Sequence, residues 1–503
     1  MTGVDAPLAH AFLVRLSGEV STKARYTRSR FVKRLRDNLR DALRAEGIAA
    51  RVRTTRERIY VDAESPEAGA VAARVFGVQS VSPAVARPVT SLAEVVAAGA
   101  EHFAEAVRGR RFAVRARRVG DPTQIATRSR AVERDLGTAL LEHAARVDLG
   151  DPEVTAHVEL MADATWFFGE RLPGPGGLPL GVEGRAVTLV SGGFDSAVAA
   201  WLLLKRGVAQ HYVFCNLGGA SHQLGVLRVM KIIADRWSYG SAPKLHAVDF
   251  EAVSRELRER TETRYWQVIL KRQMLRAAQA LAPELRAEAI VTGEALGQVS
   301  SQTLTNLATI SGATDLPILR PLVGFNKDEI IARAEHVGTA ALSAVVDEYC
   351  AMVPRKPATA AKPDAIAAEE EKLDPRVLER AVAERAVFDL RTLDPERISI
   401  PELEVDAISD DAAVIDLRSR AAFESWHWPD ALQLDFDRAL AAYASFDRNR
   451  TYVLVCEFGL KSAHLAEKMR EAGMNAWNFR GGLGALLRHA EEKGLADRSL
   501  LGL

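Results

Sequence analysis

Cysteine is scarce in this chain of 503 residues: Cys215, Cys350 and Cys456 lie far apart and form no CxxC pair. That excludes a disulfide-stapled secreted scaffold and a cysteine-based zinc site, and leaves each thiol free to react. Long apolar runs are missing too. No stretch approaches the roughly 20 uninterrupted apolar residues of a membrane span. The segment Met1 to His10 lacks a basic stretch followed by an apolar one, so neither a membrane partner nor secretion is expected, and a cytoplasmic location is. Net charge is also absent, since 66 Lys/Arg balance 66 Asp/Glu. There is no internal repeat and no low-complexity tract. What is present is ample apolar content, 48%, enough for packed cores in the three or four domains that such a length suggests.

The zero balance conceals a polarised chain. Residues 1–65 hold 14 Lys/Arg against 8 Asp/Glu, and eight arginines but one acid fall between Arg108 and Arg130. Residues 364–416 reverse this, with 16 acids against 6 bases. A basic front on a neutral protein is the electrostatic footprint of a nucleic-acid partner.

Patterning predicts a strand over Ala11–Leu16, a helix over Arg30–Leu43 with an arginine-rich outer face, and a strand over Arg58–Asp62. Strand-like Arg111–Arg117 should turn Phe112, Val114 and Ala116 one way and its arginines the other, a cationic face suited to a phosphate backbone. Pro173–Gly181 reads as a linker. From about 180 to 345, strands at 186–190, 211–215, 245–249 and 288–292 alternate with helices, which implies a doubly wound parallel sheet. Pro354–Pro363 and the charged stretch 366–387 read as a second connector and a plausible hinge. The remainder alternates again, with strands at Ala413–Leu417, Thr451–Val455 and Asn475–Phe479 and a helix over 462–471.

Two motifs carry chemistry. Ser191-Gly-Gly-Phe-Asp-Ser196 follows the buried-looking run Ala186–Val190 and opens a helical stretch. Adjacent glycines let backbone N–H groups turn inward, and the helix N-terminus favours anions, so this is a phosphate-binding loop. It lacks the Gly-Lys-Ser/Thr ending of a Walker A loop. It resembles instead the PP-loop of ATP pyrophosphatases, which activate a substrate oxygen as an adenylate. In the second motif, Cys456-Glu-Phe-Gly459-Leu-Lys461-Ser462, a cysteine follows a strand and heads a helix. Loop amides, helix dipole and Lys461 there favour thiolate over thiol. Asp416-Leu-Arg418, Phe423, His427, Pro429 and Ala431 before it, and Arg480-Gly-Gly482 after it, resemble the rhodanese fold, whose loop cysteine carries sulfane sulfur. Cys215, on a predicted strand, reads as core.

Both motifs on one chain, in this order, resemble the bacterial tRNA 4-thiouridine synthetases (tRNA uracil 4-sulfurtransferases, also thiamine-biosynthesis sulfurtransferases) of the long form. The most specific stretch is Val291–Leu307, and Glu348-Tyr-Cys350 with Pro354-Arg-Lys-Pro357 matches the segment of the family's second working cysteine. The resemblance implies a multidomain α/β and α+β fold. Its parts would be an N-terminal ferredoxin-like domain (1–65), a THUMP RNA-binding domain (66–171), a PP-loop ATP pyrophosphatase domain (180–390) and a rhodanese-like domain (405–503). It implies ATP and Mg²⁺ held by Leu189, Val190, Ser191, Gly192, Gly193, Asp195 (also the metal's anionic partner), Ser196, Lys271, Gly293 and Gln302. Cys456 would carry a persulfide in a loop with Gly459, Lys461 and Ser462, and Cys350 would form a transient disulfide with it. Arg111, Arg115, Arg117 and Arg118 are candidate RNA contacts. The expected partners are tRNA, with uridine 8 as target, a cysteine desulfurase as sulfur donor and the sulfur carrier protein of thiazole synthesis; a homodimer stays open. Two rivals remain: a PP-loop amidating ligase of the NAD or GMP synthetase kind, and a non-catalytic RNA-binding protein.

Overall fold

The computed structural model describes residues 8–54, 58–346, 356–394, 400 and 402–496. They fall into two compact units. The first comprises the chain up to Gly184 with Leu204–Ala209 and Arg236–Ser241, and the second holds the rest.

In the first unit, helix Arg25–Ala45 buries Phe31, Val32, Leu35 and Leu39 at helical spacing. They pack against Phe12, Val14, Ile59 and Val61, which alternate to one side of their strands. Strands Ala50–Thr54, Arg58–Ala63, His10–Leu16 and Val78–Arg87 lie side by side, and the sheet continues through Thr165–Phe168, Val154–Leu160, Arg111–Arg118 and Arg146–Val147. Val78–Arg87 is the shared member: it pairs antiparallel with both His10–Leu16 and Thr165–Phe168. A second core of Val95, Phe103, Phe112, Leu136 and Phe167 lies beneath helices Leu92–Val107 and Ser129–Leu140.

Residues 173–181 are not a free linker. Leu178 and Leu180 are buried, and the Leu180 carbonyl accepts from Arg34 Nε at 2.8 Å and Asn38 Nδ2 at 3.1 Å. Gly177 has φ +70°, and a Cβ there would run into the Lys205 carbonyl. The glycines and prolines permit a tight path against the unit, and composition alone could not reveal that the path is packed.

The second unit contains two sheets. One has six strands in the order Ile318–Leu319, Ala289–Val291, Arg185–Leu189, Ala209–Asn216, Lys244–Asp249, Ala386–Asp389. All recorded pairings are parallel except the last, in which Ala386–Asp389 runs antiparallel to Lys244–Asp249. The strand order reverses between Arg185–Leu189 and Ala289–Val291, and the crevice at such a switch point is where open α/β sheets bind ligands. Val187, Val213, Val248 and Ile290 form its core with helix Trp266–Leu285. The other sheet is parallel, in the order Glu404–Val405, Asn475–Phe479, Thr451–Val455, Ala413–Asp416, Leu432–Gln433.

The expected second connector is folded into the six-stranded domain. Helices Pro363–Glu370 and Pro375–Ala383 lead to the edge strand Ala386–Asp389. Glu370 receives both Arg272 (2.9 Å) and Arg276 (2.6 Å) from helix Trp266–Leu285. The charged stretch read as a connector instead supplies a carboxylate clamp to the domain, so the hinge reading does not hold for residues 356–389. Among the described residues no helix is long and apolar enough to cross a membrane.

Candidate active site

The phosphate loop leaves strand Arg185–Leu189 at the switch point and enters helix Phe194–Lys205. Inside it, Ser196 Oγ accepts from the Ser191 N–H (3.2 Å) and donates to the Gly193 carbonyl (3.2 Å), which closes the loop on itself. Gly192 has φ +80°, a conformation open to glycine, and its missing Cβ leaves room for Val226 and Val346. Gly293, from the loop after Ala289–Val291, has no room for a side chain either, because a Cβ would lie 2.8 Å from the Asp195 carbonyl carbon and the Ser196 nitrogen. Two loops from neighbouring strands thus meet backbone to backbone. Leu189 is half-buried and Val190 buried, and the Val190 N–H donates to Val213 O at 3.0 Å.

Charge is dense around this loop. Asp195 pairs with Lys327 Nζ at 2.9 Å and accepts from Gln298 Nε2 at 3.1 Å. Glu294, buried, receives Arg320 Nε (2.8 Å), Lys271 Nζ (3.3 Å) and Thr292 Oγ1 (3.1 Å). Burial alone would raise the Glu294 carboxyl, but Lys271 and Arg320 outweigh it and hold it below the usual carboxylate range. Buried Gln302 has an Oε1 with no hydrogen-bond partner among the described residues, an orphaned acceptor of the kind a bound ligand satisfies. The Val291–Leu307 stretch also ties down residues 358–361. Buried Asn306 donates to the Ser300 and Ala358 carbonyls (2.8 Å each) and accepts from the Ala361 N–H (2.9 Å). Sequence reasoning missed Lys327, Gln298 and Arg320; only Gln298 lay inside a stretch already singled out.

The cysteine loop follows strand Thr451–Val455. Cys456 Sγ is buried and accepts from Ser462 Oγ at 3.1 Å, with the Ser462 N–H at 3.5 Å. Gly459 caps helix Leu460–Glu471 at φ +71°. Arg480-Gly-Gly482 closes the loop from below, where a Cβ on Gly482 would stand 2.5 Å from the Glu457 carbonyl. Arg418 makes a buried pair with Asp416 (2.7 Å) and also donates to the Trp426 carbonyl. Lys461 sits with its ammonium 5.5 Å from the centre of the Phe436 ring. A cavity of about 250 Å³ opens onto Cys456, lined by Arg418, Ser419, Phe458, Lys461 and Val345. Val345 belongs to the six-stranded domain. Cys350 lies outside the described residues. Cys215 is buried in strand Ala209–Asn216, and burial pushes its thiol well above the ordinary value, in keeping with a core role.

The arginine strand is less free than its pattern suggested. Ala113, on the same side as the arginines, is fully buried. Arg111 pairs with Asp148, Asp151 and Glu153, Arg115 donates to the Leu149 carbonyl, Arg117 pairs with buried Glu159 at 2.5 Å, and Arg118 also has a partner. Alternation identified the outward face but not the acids that come to meet it.

Comparison with known proteins agrees along the chain. Residues 181–374 match the family described as thiamine biosynthesis protein (ThiI), 11–82 the ThiI ferredoxin-like domain, and 402–489 the rhodanese-like domain. The tRNA sulfurtransferase of Pyrobaculum aerophilum is 36% identical over 466 residues, covering 92% of this chain and 95% of that one. That of Escherichia coli O139:H28 is 34% identical over 486 residues, covering 92% and 98%. A crystal structure of a 4-thiouridine synthetase–RNA complex with bound ATP aligns with TM-score 0.66 at 29% identity, covering 75% of this chain and 99% of that one.

Proposed function

The chain belongs to the tRNA sulfurtransferase (ThiI) family, and from that premise we propose that it converts uridine 8 of tRNA to 4-thiouridine, priming the base with ATP and delivering sulfur from Cys456. The observation that carries this reading is the sharing of one compact unit by a phosphate loop and a hydrogen-bonded loop cysteine whose cavity is walled by Val345. A ligase would have no work for the cysteine loop.

The steps follow from the groups present. Loop amides of Ser191–Gly193 and the helix N-terminus receive the phosphates, and Lys271 and Lys327 balance charge on departing pyrophosphate. The Asp195 carboxylate, at the head of the helix that receives the phosphates, would be the protein partner of a magnesium ion carried in on the nucleotide, and that ion would contribute charge neutralisation. Uridine O4 attacks the α-phosphorus, and pyrophosphate leaves. The terminal sulfur of the Cys456 persulfide then adds at C4, the C4–O4 bond breaks, and AMP departs with the oxygen. The base is now joined to Cys456 through a disulfide. The Cys350 thiolate attacks Cys456 Sγ, the S–S bond to the base breaks, and 4-thiouridine leaves with the electron pair. A Cys350–Cys456 disulfide remains, which a dithiol reductant opens with two electrons. The Cα atoms of the two cysteines must approach within about 7 Å for this. Cys350 is five residues from Val345 in the chain, a tether of at most roughly 18 Å.

On this reading residues 1–65 and 66–171 grip the tRNA as ferredoxin-like and THUMP domains, recognising shape and phosphates rather than sequence. Residues 180–390 and 405–503 perform the two chemistries in the cytoplasm. A cysteine desulfurase loads Cys456, and the thiazole-forming sulfur carrier protein is a second acceptor. The test is reconstitution with tRNA, Mg-ATP, cysteine and a desulfurase, scored for thiolated uridine by mass analysis. Cys456→Ala should abolish thiolation while ATP and tRNA binding stay near wild type. Many-turnover thiolation by that variant at full rate would overturn the mechanism.

A further inference from the structure

Helix Gly219–Trp237 follows strand Ala209–Asn216 and touches both loops. Toward the phosphate loop, His222 donates from Nε2 to the Ser191 carbonyl at 3.1 Å, and Val226 packs where a Gly192 side chain would stand. Toward the cysteine domain, the first turn offers the Ala220 N–H (3.0 Å) and the Ser221 hydroxyl (2.5 Å) to the Glu467 carboxylate. A carboxylate is the charge that a helix N-terminus favours. Further along, Arg228 donates from Nη1 to the carbonyl of Phe458, within the cysteine loop, and the same nitrogen lies 3.7 Å from the position of a Cβ on Gly459. Burial draws the Arg228 guanidinium below its ordinary value, while Glu404 and Cys456 act to raise it.

A cation placed behind a loop that must carry an anionic sulfur has two effects. It fixes the loop's main chain, and it adds positive potential where the persulfide sits. Cys456's own domain already supplies the two donors from Ser462. Arg228, from the domain that bears the phosphate loop, adds a contact to the main chain of the cysteine loop at Phe458.

We propose that Arg228, with the Glu467 clasp, is a positioning residue for sulfur delivery: it holds the Cys456 loop in register with the phosphate loop through one shared helix. The inference rests on the sulfur-transfer reading of Cys456. It predicts that the residue matters for transfer between sites and little for either half-reaction alone.

Three readouts on the full chain test this: loading of Cys456 with sulfane sulfur from thiosulfate, tRNA-dependent pyrophosphate release from ATP, and single-turnover thiolation by preloaded enzyme. Arg228→Ala should slow the single turnover about tenfold or more, the scale of a sub-ångström misplacement of reacting groups. Loading and pyrophosphate release should stay within about threefold of wild type, and Arg228→Lys, which keeps a charged donor, should recover part of the loss. Glu467→Ala should slow transfer in the same selective way, and adding Ser221→Ala should change little more, because the pair shares one interaction. Wild-type transfer by Arg228→Ala, or an equal loss in all three readouts by both Arg228→Ala and Glu467→Ala, would overturn the proposal. Failure of wild-type enzyme to pass sulfur from Cys456 to tRNA would sink the sulfur-transfer reading instead.

Discussion

Gly293→Ala is a small change with a calculable consequence. A Cβ at residue 293 would meet the Asp195 carbonyl carbon and the Ser196 nitrogen at 2.8 Å each and the Asp195 oxygen at 3.0 Å, against 3.4 Å for ordinary contact. All three atoms are main chain at the start of a packed helix, so none can swing aside. The two loops must separate by about half an ångström, and overpacking of this kind costs about 1–3 kcal/mol. Reacting groups displaced by an ångström lose on the order of 100-fold in rate, so half that distance is worth about tenfold. The variant should therefore release pyrophosphate from ATP about tenfold more slowly in the presence of tRNA. Persulfide loading of Cys456 should be unchanged, because the atoms nearest a Gly293 side chain belong to Asp195 and Ser196 and the cysteine loop follows a strand of the other sheet. Stopped-flow detection of pyrophosphate and mass analysis of persulfidated enzyme separate the two. Wild-type pyrophosphate release by Gly293→Ala would mean that the close approach of these loops has no part in nucleotide chemistry.

Asn306→Ala removes three hydrogen bonds of a buried side chain, two of them to Ala358 and Ala361, and should loosen that segment locally by about 2–4 kcal/mol; faster hydrogen exchange at the Ala361 amide is the readout, and unchanged protection would refute the tie. His222 is depressed to about 4, chiefly by burial. Because its folded value lies below the unfolded one, its contribution is complete above about pH 6.5 and is lost as pH falls toward 4, at most about 3 kcal/mol. His222→Gln should flatten the fall in melting temperature across that window, and an identical slope in both proteins would count against the assignment.

The parts of the fold and site readable in sequence were those in which local pattern and packing agree. Strands at 211–215 and 245–249 and the turn at Ser191–Ser196 are contiguous signals, and the structure has them within a residue or two. What escaped was created by residues far apart in sequence. Lys327 meets Asp195 across 132 positions, and nothing near Lys327 announces it. The charged stretch 366–387 looked like a connector because its partners, Arg272, Arg276 and Glu284, lie on another helix. At strand Arg111–Arg118 the alternation was legible, but it could not count the carboxylates that pair with the arginine face.

Helix Gly219–Trp237 extends the same point to mechanism. Its sequence is an ordinary amphipathic run, yet His222 holds one reactive loop and Arg228 the other. Packed elements move as units rather than absorb strain. A shift of this helix when phosphates enter the Ser191 loop must therefore be felt at Phe458, and docking of the cysteine loop must be felt at Ser191. If the two chemistries are ordered in time, the thermodynamic requirement is that nucleotide and docked persulfide favour the same helix position, and each then tightens the other by an equal factor. The comparison is direct: ATP affinity of the wild type and of Arg228→Ala, each with and without sulfur on Cys456. A coupling present in the first and absent in the second is what one helix serving two sites demands.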